Sequence, residues 1–148
     1  MKFLTLLLIS SLVTTSSAWL NNLDDAKKTA VQKHELILLN FSGSDWCGPC
    51  IRLKKEIFES NEFKNYADEN LVLVNADFPR LKKNQPSKAQ VKINEALAEQ
   101  YNSKGKFPLT VLLSADGKVL KTWDGFPGVS AEEFTNDIKS ISNGSTIK

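Results

Sequence analysis

Cys47 and Cys50 are the two cysteines of the 148-residue sequence, and only Gly48 and Pro49 separate them. Sulfur at this spacing has a short list of uses. A structural bridge gains its stability by closing a long loop in the unfolded chain, and Cys47 to Cys50 closes almost none. A zinc site needs about four ligands. Beyond the cysteines the sequence offers one histidine, His34, well upstream and without ligand spacing. Haem attachment requires a histidine directly after the second cysteine, where Ile51 stands. Thiol–disulfide exchange remains, and the local residues suit it. Cys47 falls between an apolar run and a helical pattern, so it sits at a helix N-terminus, where free N–H groups and the helix dipole favour a thiolate. Thiolate is the attacking species in exchange. Cys50 lies in the first turn, within reach of a mixed disulfide at Cys47. Pro49 has no N–H to lose in that turn, and Gly48 leaves room for a partner chain. Trp46 offers a flat apolar surface beside the nucleophile.

The elements that must position this pair are legible from hydrophobic period. Asn22 to Lys33 reads as a helix with Leu23, Ala26, Ala30 and Val31 along one face, capped by Asn21 or Asn22. His34 reads as a surface or helix-end residue. Leu36 to Phe41 is a continuous apolar run, suited to a strand buried on both faces. The turn Ser42 to Asp45 then delivers Trp46 and the cysteines. Ile51, Leu53, Ile57 and Phe58 continue as an amphipathic helix, with Phe63 and Tyr66 following the capping signal Ser60-Asn61-Glu62. Leu71 to Asp77 is a second buried strand. Pro86 to Tyr101 is a third helix, with Val91, Ile93, Ala96, Leu97 and Tyr101 as apolar positions. Thr110 to Ala115 and Val119 to Trp123 form a hairpin around Asp116-Gly117. Ser130 to Glu133 is a capping box opening a last helix that carries Phe134, Ile138 and Ile141. Two strands joined through a helix run parallel. The expectation is therefore an α/β fold, one domain, with a mixed central sheet flanked by helices.

Trp46-Cys47-Gly48-Pro49-Cys50 is identical to the active-site motif of thioredoxins, and Phe41 to Cys47 resembles the secreted bacterial thioredoxin-like proteins. The resemblance extends through Gly105-Lys106-Phe107-Pro108, Asp116-Gly117-Lys118 and Gly125, covering nearly the whole chain after its first residues. It implies a thioredoxin fold and a thiol–disulfide oxidoreductase with Cys47 as nucleophile and Cys50 as resolving cysteine. It also implies that Pro108 is a cis-proline facing the pair, and that Phe107 contacts the substrate backbone. Trp46, Gly48, Pro49 and Pro108 would support the site, with Trp46, Phe107 and Pro108 lining the substrate groove. No metal and no bound cofactor are expected, the redox group being the Cys47–Cys50 disulfide itself.

Two departures stand out. Thioredoxins carry a buried aspartate on the strand before the motif. The matching residue is Asn40, allowing one extra residue in the turn, or Phe41 without that allowance; neither ionises. Asp45, Lys54 or water are the candidates to replace it. The segment from Phe78 to Lys92 is longer than the loop of a minimal thioredoxin. It holds Arg80, Lys82, Lys83, Lys88 and Lys92 with no acidic residue, which reads either as a solvated face or as a docking face for an acidic protein.

The chain opens Met1-Lys2, runs through an apolar stretch from Phe3 to Val13, and reaches Ser16-Ser17-Ala18. This is the pattern of a cleavable secretory signal over 1–18; a membrane anchor would need about 20 apolar residues. A thioredoxin-like domain over 19–142 and a flexible tail over 143–148 follow. The formal charge of +2 is too small an excess to argue for nucleic acid or a membrane surface. Asn143-Gly144-Ser145 fits a glycosylation pattern too common to use. The expectation is a periplasmic or secreted monomer acting on protein thiols and disulfides, with no membrane anchor after cleavage. Gly48-Pro49 resembles the reducing members of the family, which implies a reductase kept reduced by a membrane-bound electron donor. The alternatives are a disulfide oxidase or isomerase, or a non-catalytic binding module.

Overall fold

The computed structural model describes residues 18–145. The expected signal segment, apart from Ala18, lies outside the described residues, as do residues 146–148. The element order is α1 (Leu23–Lys33), β1 (Leu36–Ser42), α2 (Gly48–Leu53), a π-helical turn (Lys54–Phe58), α3 (Asn61–Asn70), β2 (Leu71–Asp77), a 3-10 turn (Lys82–Asn84), α4 (Lys88–Tyr101), β3 (Leu109–Leu113), β4 (Val119–Asp124) and α5 (Ala131–Ser145). The four strands form one sheet in the order β2-β1-β3-β4. β1 pairs parallel with β2 and antiparallel with β3, and β3 pairs antiparallel with β4.

Side chains on a strand alternate between faces, and β1 shows how the sequence uses this. Ile37, Leu39 and Phe41 point to one core, which α1 and α4 cover with Leu23, Ala26, Ala30 and Leu97. Leu38 points to the opposite core, built with Leu53, Ile57, Phe58, Phe63, Phe134 and Ile138. Asn40 shares the alternation of Leu38, so it belongs to the face covered by α2. Phe134 is fully buried and its ring lies 4.9 Å from Trp123 and 6.3 Å from Phe63; truncating such a residue costs about 3–5 kcal/mol.

The ends of the elements follow local chemistry. Asn22 caps α1 by accepting the N–H groups of Asp24 and Asp25, and His34 ends it in the left-handed region at φ 58°. Ser60 accepts the Phe63 N–H at the start of α3. Ser130 and Glu133 exchange hydrogen bonds as a capping box. Gly117, at φ 91°, makes the β3–β4 turn, a conformation glycine adopts without a Cβ penalty.

Several expectations shift. Val31 is 60% exposed, so it stands off the buried face of α1, and Ala96 is exposed on α4. That helix starts at Lys88 behind a Ser87 cap, and its buried polar residue is Asn94, whose amide donates to the Asp77 carbonyl. α5 runs to Ser145, past the expected domain end at 142. A further strand-like contact was not legible in the sequence: Leu20 bridges to Val74, with Leu20 N–H donating to the Leu73 carbonyl and Asn75 N–H donating back.

A disulfide at the mouth of a central strand

Because β1 lies between β2 and β3, whatever follows Ser42 emerges at the middle of the sheet's edge. The turn closes tightly, with the Trp46 and Cys47 N–H groups both donating to the Gly43 carbonyl. Glycine is required at position 43 because a Cβ there would meet the Trp46 indole at 2.3 Å. Cys47 is the N-cap of α2, with Gly48 and Pro49 as the first helical residues. Cys47 and Cys50 are joined in a disulfide, their Cα atoms 5.2 Å apart. Cys47 Sγ also accepts the Cys50 N–H at 3.3 Å. On reduction that donor and the helix start both favour negative charge on Cys47.

Exposure does not distinguish the two sulfurs, since Cys47 is 4% and Cys50 5% exposed. Their surroundings do. A Cβ on Gly48 would meet nothing within 4 Å, so the chain beside Cys47 faces open space. Cys50 faces inward, onto a cavity of about 420 Å³ lined by Asn40, Ser42, Ser44, Asn75, Lys54, Ile51, Phe58 and Trp19.

The floor of this cavity is a continuous polar network set by strand register. Asn40 is paired with Asn75 on β2 and with Thr110 on β3, and Ser42 with Asp77. All sit on the α2-facing side of the sheet. Asn40 donates its amide to Asn75 Oδ1 at 2.9 Å and accepts from the Thr110 hydroxyl at 3.2 Å. The Ser42 hydroxyl lies 3.1 Å from both Asn75 Oδ1 and Asp77 Oδ1. The Ser44 N–H and hydroxyl both donate to Asp77. Asn40 is therefore the residue under Cys50, which settles the choice between Asn40 and Phe41; Phe41 is buried in the opposite core.

Asp45 does something the sequence did not suggest. Its carboxylate accepts the N–H groups of Arg80 at 2.8 Å and Leu81 at 2.9 Å, and the Asn84 side-chain amide at 2.9 Å. The Arg80 N–H above all holds its carboxyl below the ordinary value of 3.8. It is thus occupied as a clamp on the following loop. Lys54 lines the cavity but is paired with Glu59.

The Phe107–Pro108 peptide is cis, as the resemblance implies, and Pro108 is buried. Phe107 reaches the motif through Trp46: their ring centroids are 5.5 Å apart, edge to face. Phe78 packs on the other side of Phe107 at 5.4 Å, and its carbonyl accepts the Trp46 indole N–H at 2.7 Å. Trp46, Phe107 and Phe78 thus form one aromatic wall. Phe78 is the member sequence reasoning missed, and only its apolar character beside the basic run could have flagged it. Among the described residues no three His, Cys, Asp or Glu side chains gather as a metal site, and His34 lies at the end of α1.

The sequence profile of the thioredoxin-like domain matches residues 23–141. The disulfide bond reductase DsbH of Chlamydia pneumoniae is 39% identical over 116 residues, spanning 78% of this chain and 68% of that protein. The thioredoxin-related protein DsbJ of the same organism is 32% identical over 108 residues, or 62% of this chain but 31% of that longer protein. A solved structure of a DsbH oxidoreductase superposes with a TM-score of 0.77 at 31% identity, covering 96% of this chain and 95% of that one.

Proposed function

The chain belongs to the thioredoxin-like family and is a thiol–disulfide oxidoreductase, and from that premise we propose that it works as a reductase of protein disulfides outside the cytosol. The observation that carries this reading is the disulfide between an N-cap cysteine and a first-turn cysteine on a helix that starts at the mouth of the central strand. The 39% identity to a disulfide bond reductase and the Gly48-Pro49 pair support the reducing direction. The expected signal segment and the kinship with the Dsb proteins support a periplasmic or secreted location.

In the reduced protein the Cys47 thiolate attacks one sulfur of a substrate disulfide. A mixed disulfide forms at Cys47 and the substrate's other sulfur leaves as a thiolate that takes a proton. Cys50 then gives up its proton and attacks Cys47 Sγ. The substrate's second sulfur leaves and is protonated, and the Cys47–Cys50 bond is restored. Two electrons have passed to the substrate, and no dissociable cofactor takes part. The substrate backbone lies along Trp46, Phe107 and Pro108, and Gly48 gives it room to approach. A dithiol donor, assigned here to a membrane-bound partner, returns the pair to its reduced state.

The test is the reduction potential of the Cys47–Cys50 pair, measured by equilibration against dithiothreitol or glutathione. A value near about −270 mV, the thioredoxin end of the scale, supports the reductase. A value near about −120 mV, the end held by strong oxidants, overturns it in favour of disulfide formation.

A further inference from the structure

Resting on that reading, we infer that the loop from Arg80 to Lys83 is a recognition ledge for an acidic segment flanking the disulfide of the partner protein. Three observations converge on it. First, the loop is fixed to the active site by the Asp45 carboxylate, two residues before Cys47, which holds the Arg80 and Leu81 N–H groups and the Asn84 amide. The Gln85 amide adds a bond to the Pro79 carbonyl. Second, the Arg80 guanidinium lies over the Trp46 ring, 3.8 Å from its centroid. The charge therefore begins where the groove's aromatic wall ends. Third, Leu81, Lys82 and Lys83 are exposed, Leu81 by 50%.

A solvated lysine loop explains the third observation alone. It does not explain why a carboxylate beside the redox pair is committed to holding the loop still. Ordering a loop before binding removes that cost from the association step. The reach of the charges also selects the partner. Screening limits exposed charges to roughly 8–10 Å at physiological salt, so cations beside Trp46 act on residues adjoining the disulfide under attack. A membrane surface would need a broader basic face than a chain with formal charge +2 supplies.

The experiment uses the chain from Trp19 onward, fully reduced, and three disulfides. Two are peptide disulfides identical except that the residues flanking one cysteine are glutamates or glutamines; the third is hydroxyethyl disulfide, small and neutral. Rates are measured at low salt and at about 0.5 M salt for the native sequence and for Lys82→Glu/Lys83→Glu. The native protein is expected to reduce the acidic peptide about tenfold faster than the neutral one at low salt, with the ratio falling below about twofold at high salt. The double variant is expected to invert the preference and to reduce hydroxyethyl disulfide at the native rate. Equal rates on both peptides at low salt, with hydroxyethyl disulfide reduced normally, overturn the ledge while leaving the oxidoreductase intact. Slowing of all three substrates in the variant overturns it too, because the effect is then structural. Lysine-dependent sedimentation with phosphatidylglycerol vesicles, without peptide discrimination, reassigns the loop to a membrane. If the native protein reduces none of the three, the reductase reading falls and the ledge with it.

Discussion

On one flank of the redox pair, the loop from Phe78 to Gln85 carries its charges outward, clamped by Asp45 and laid against Trp46. On the other, the floor beneath Cys50 is built of amides and hydroxyls, Asn40, Asn75, Thr110 and Ser42, that satisfy one another, with the Asp77 carboxylate at its rim held by Ser42 and Ser44. The position that thioredoxins fill with a buried carboxyl is thus neutral here. Placing an ionised carboxylate in such a floor costs several kcal/mol unless it is paired, whereas the amide network has its partners already. Apart from Asp77 at the rim of that floor, the charges of this site stand where water screens them and a partner can meet them. The difference separates two tasks: exchange rests on the geometry of sulfur and helix start, recognition on the clamped loop.

The largest expected effect tests what both flanks serve. Cys47→Ser should reduce disulfide turnover by about a thousandfold or more. Cys50→Ser should instead accumulate a mixed disulfide at Cys47, visible as added mass. Biological activity left unchanged in Cys47→Ser, although turnover is lost, would make the groove a binding module.

Next comes the floor. Asn40→Asp removes the amide donor to Asn75 and buries a carboxyl, a loss of about 1–3 kcal/mol at neutral pH. Burial raises the pKa of such a group. Its folded state then prefers the protonated form, so the penalty should be small near pH 4 and grow as pH rises. Urea unfolding at pH 4.5 and 7.5 reads this; an equal loss at both would mean the floor is wet.

Asp45→Ala should leave global stability nearly unchanged, since the freed N–H groups face solvent. It should still speed hydrogen exchange at Arg80 and Leu81 and cut the acidic-peptide preference by about threefold. Because the folded carboxyl titrates below its ordinary 3.8, the clamp is fully present above that value and is lost as pH falls through the lower folded value. Unchanged exchange at Arg80 would mean that the loop holds itself. The smallest effect is a control remote from both flanks: His34→Gly relieves a left-handed residue at φ 58° and should add about 0.5–1 kcal/mol without altering either readout. Loss of the acidic-peptide preference in this variant would mean that the comparison reports stability.

The strands and the pair were legible because short-range period and apolar runs carry them; β2 spans Leu71–Asp77, as its uninterrupted run suggests. Helix starts were legible where a side chain caps its own backbone, as at Asn22, Ser60 and Ser130. What escaped depends on residues far apart in the chain. Asp45 looks like a proton carrier beside the motif, and only the returning loop shows what occupies it. Asn75 and Asp77 read as the polar end of a strand until register sets them beside Asn40 and Ser42. Val31 and Ala96 fit an apolar stripe by type, yet the helices are rotated to bury their neighbours instead. The need for glycine at position 43 follows from the indole lying across it.

The bridge at Leu20 has a consequence for how copies of this protein meet one another. A sheet's outermost strand offers unpaired N–H and carbonyl groups to any other chain. Leu20 takes up the Leu73 carbonyl and the Asn75 N–H on the free side of β2, so that edge is part-closed from within. A chain shortened past Asn21 would reopen it as a template for intermolecular strand pairing, and the first sign would be turbidity at high concentration.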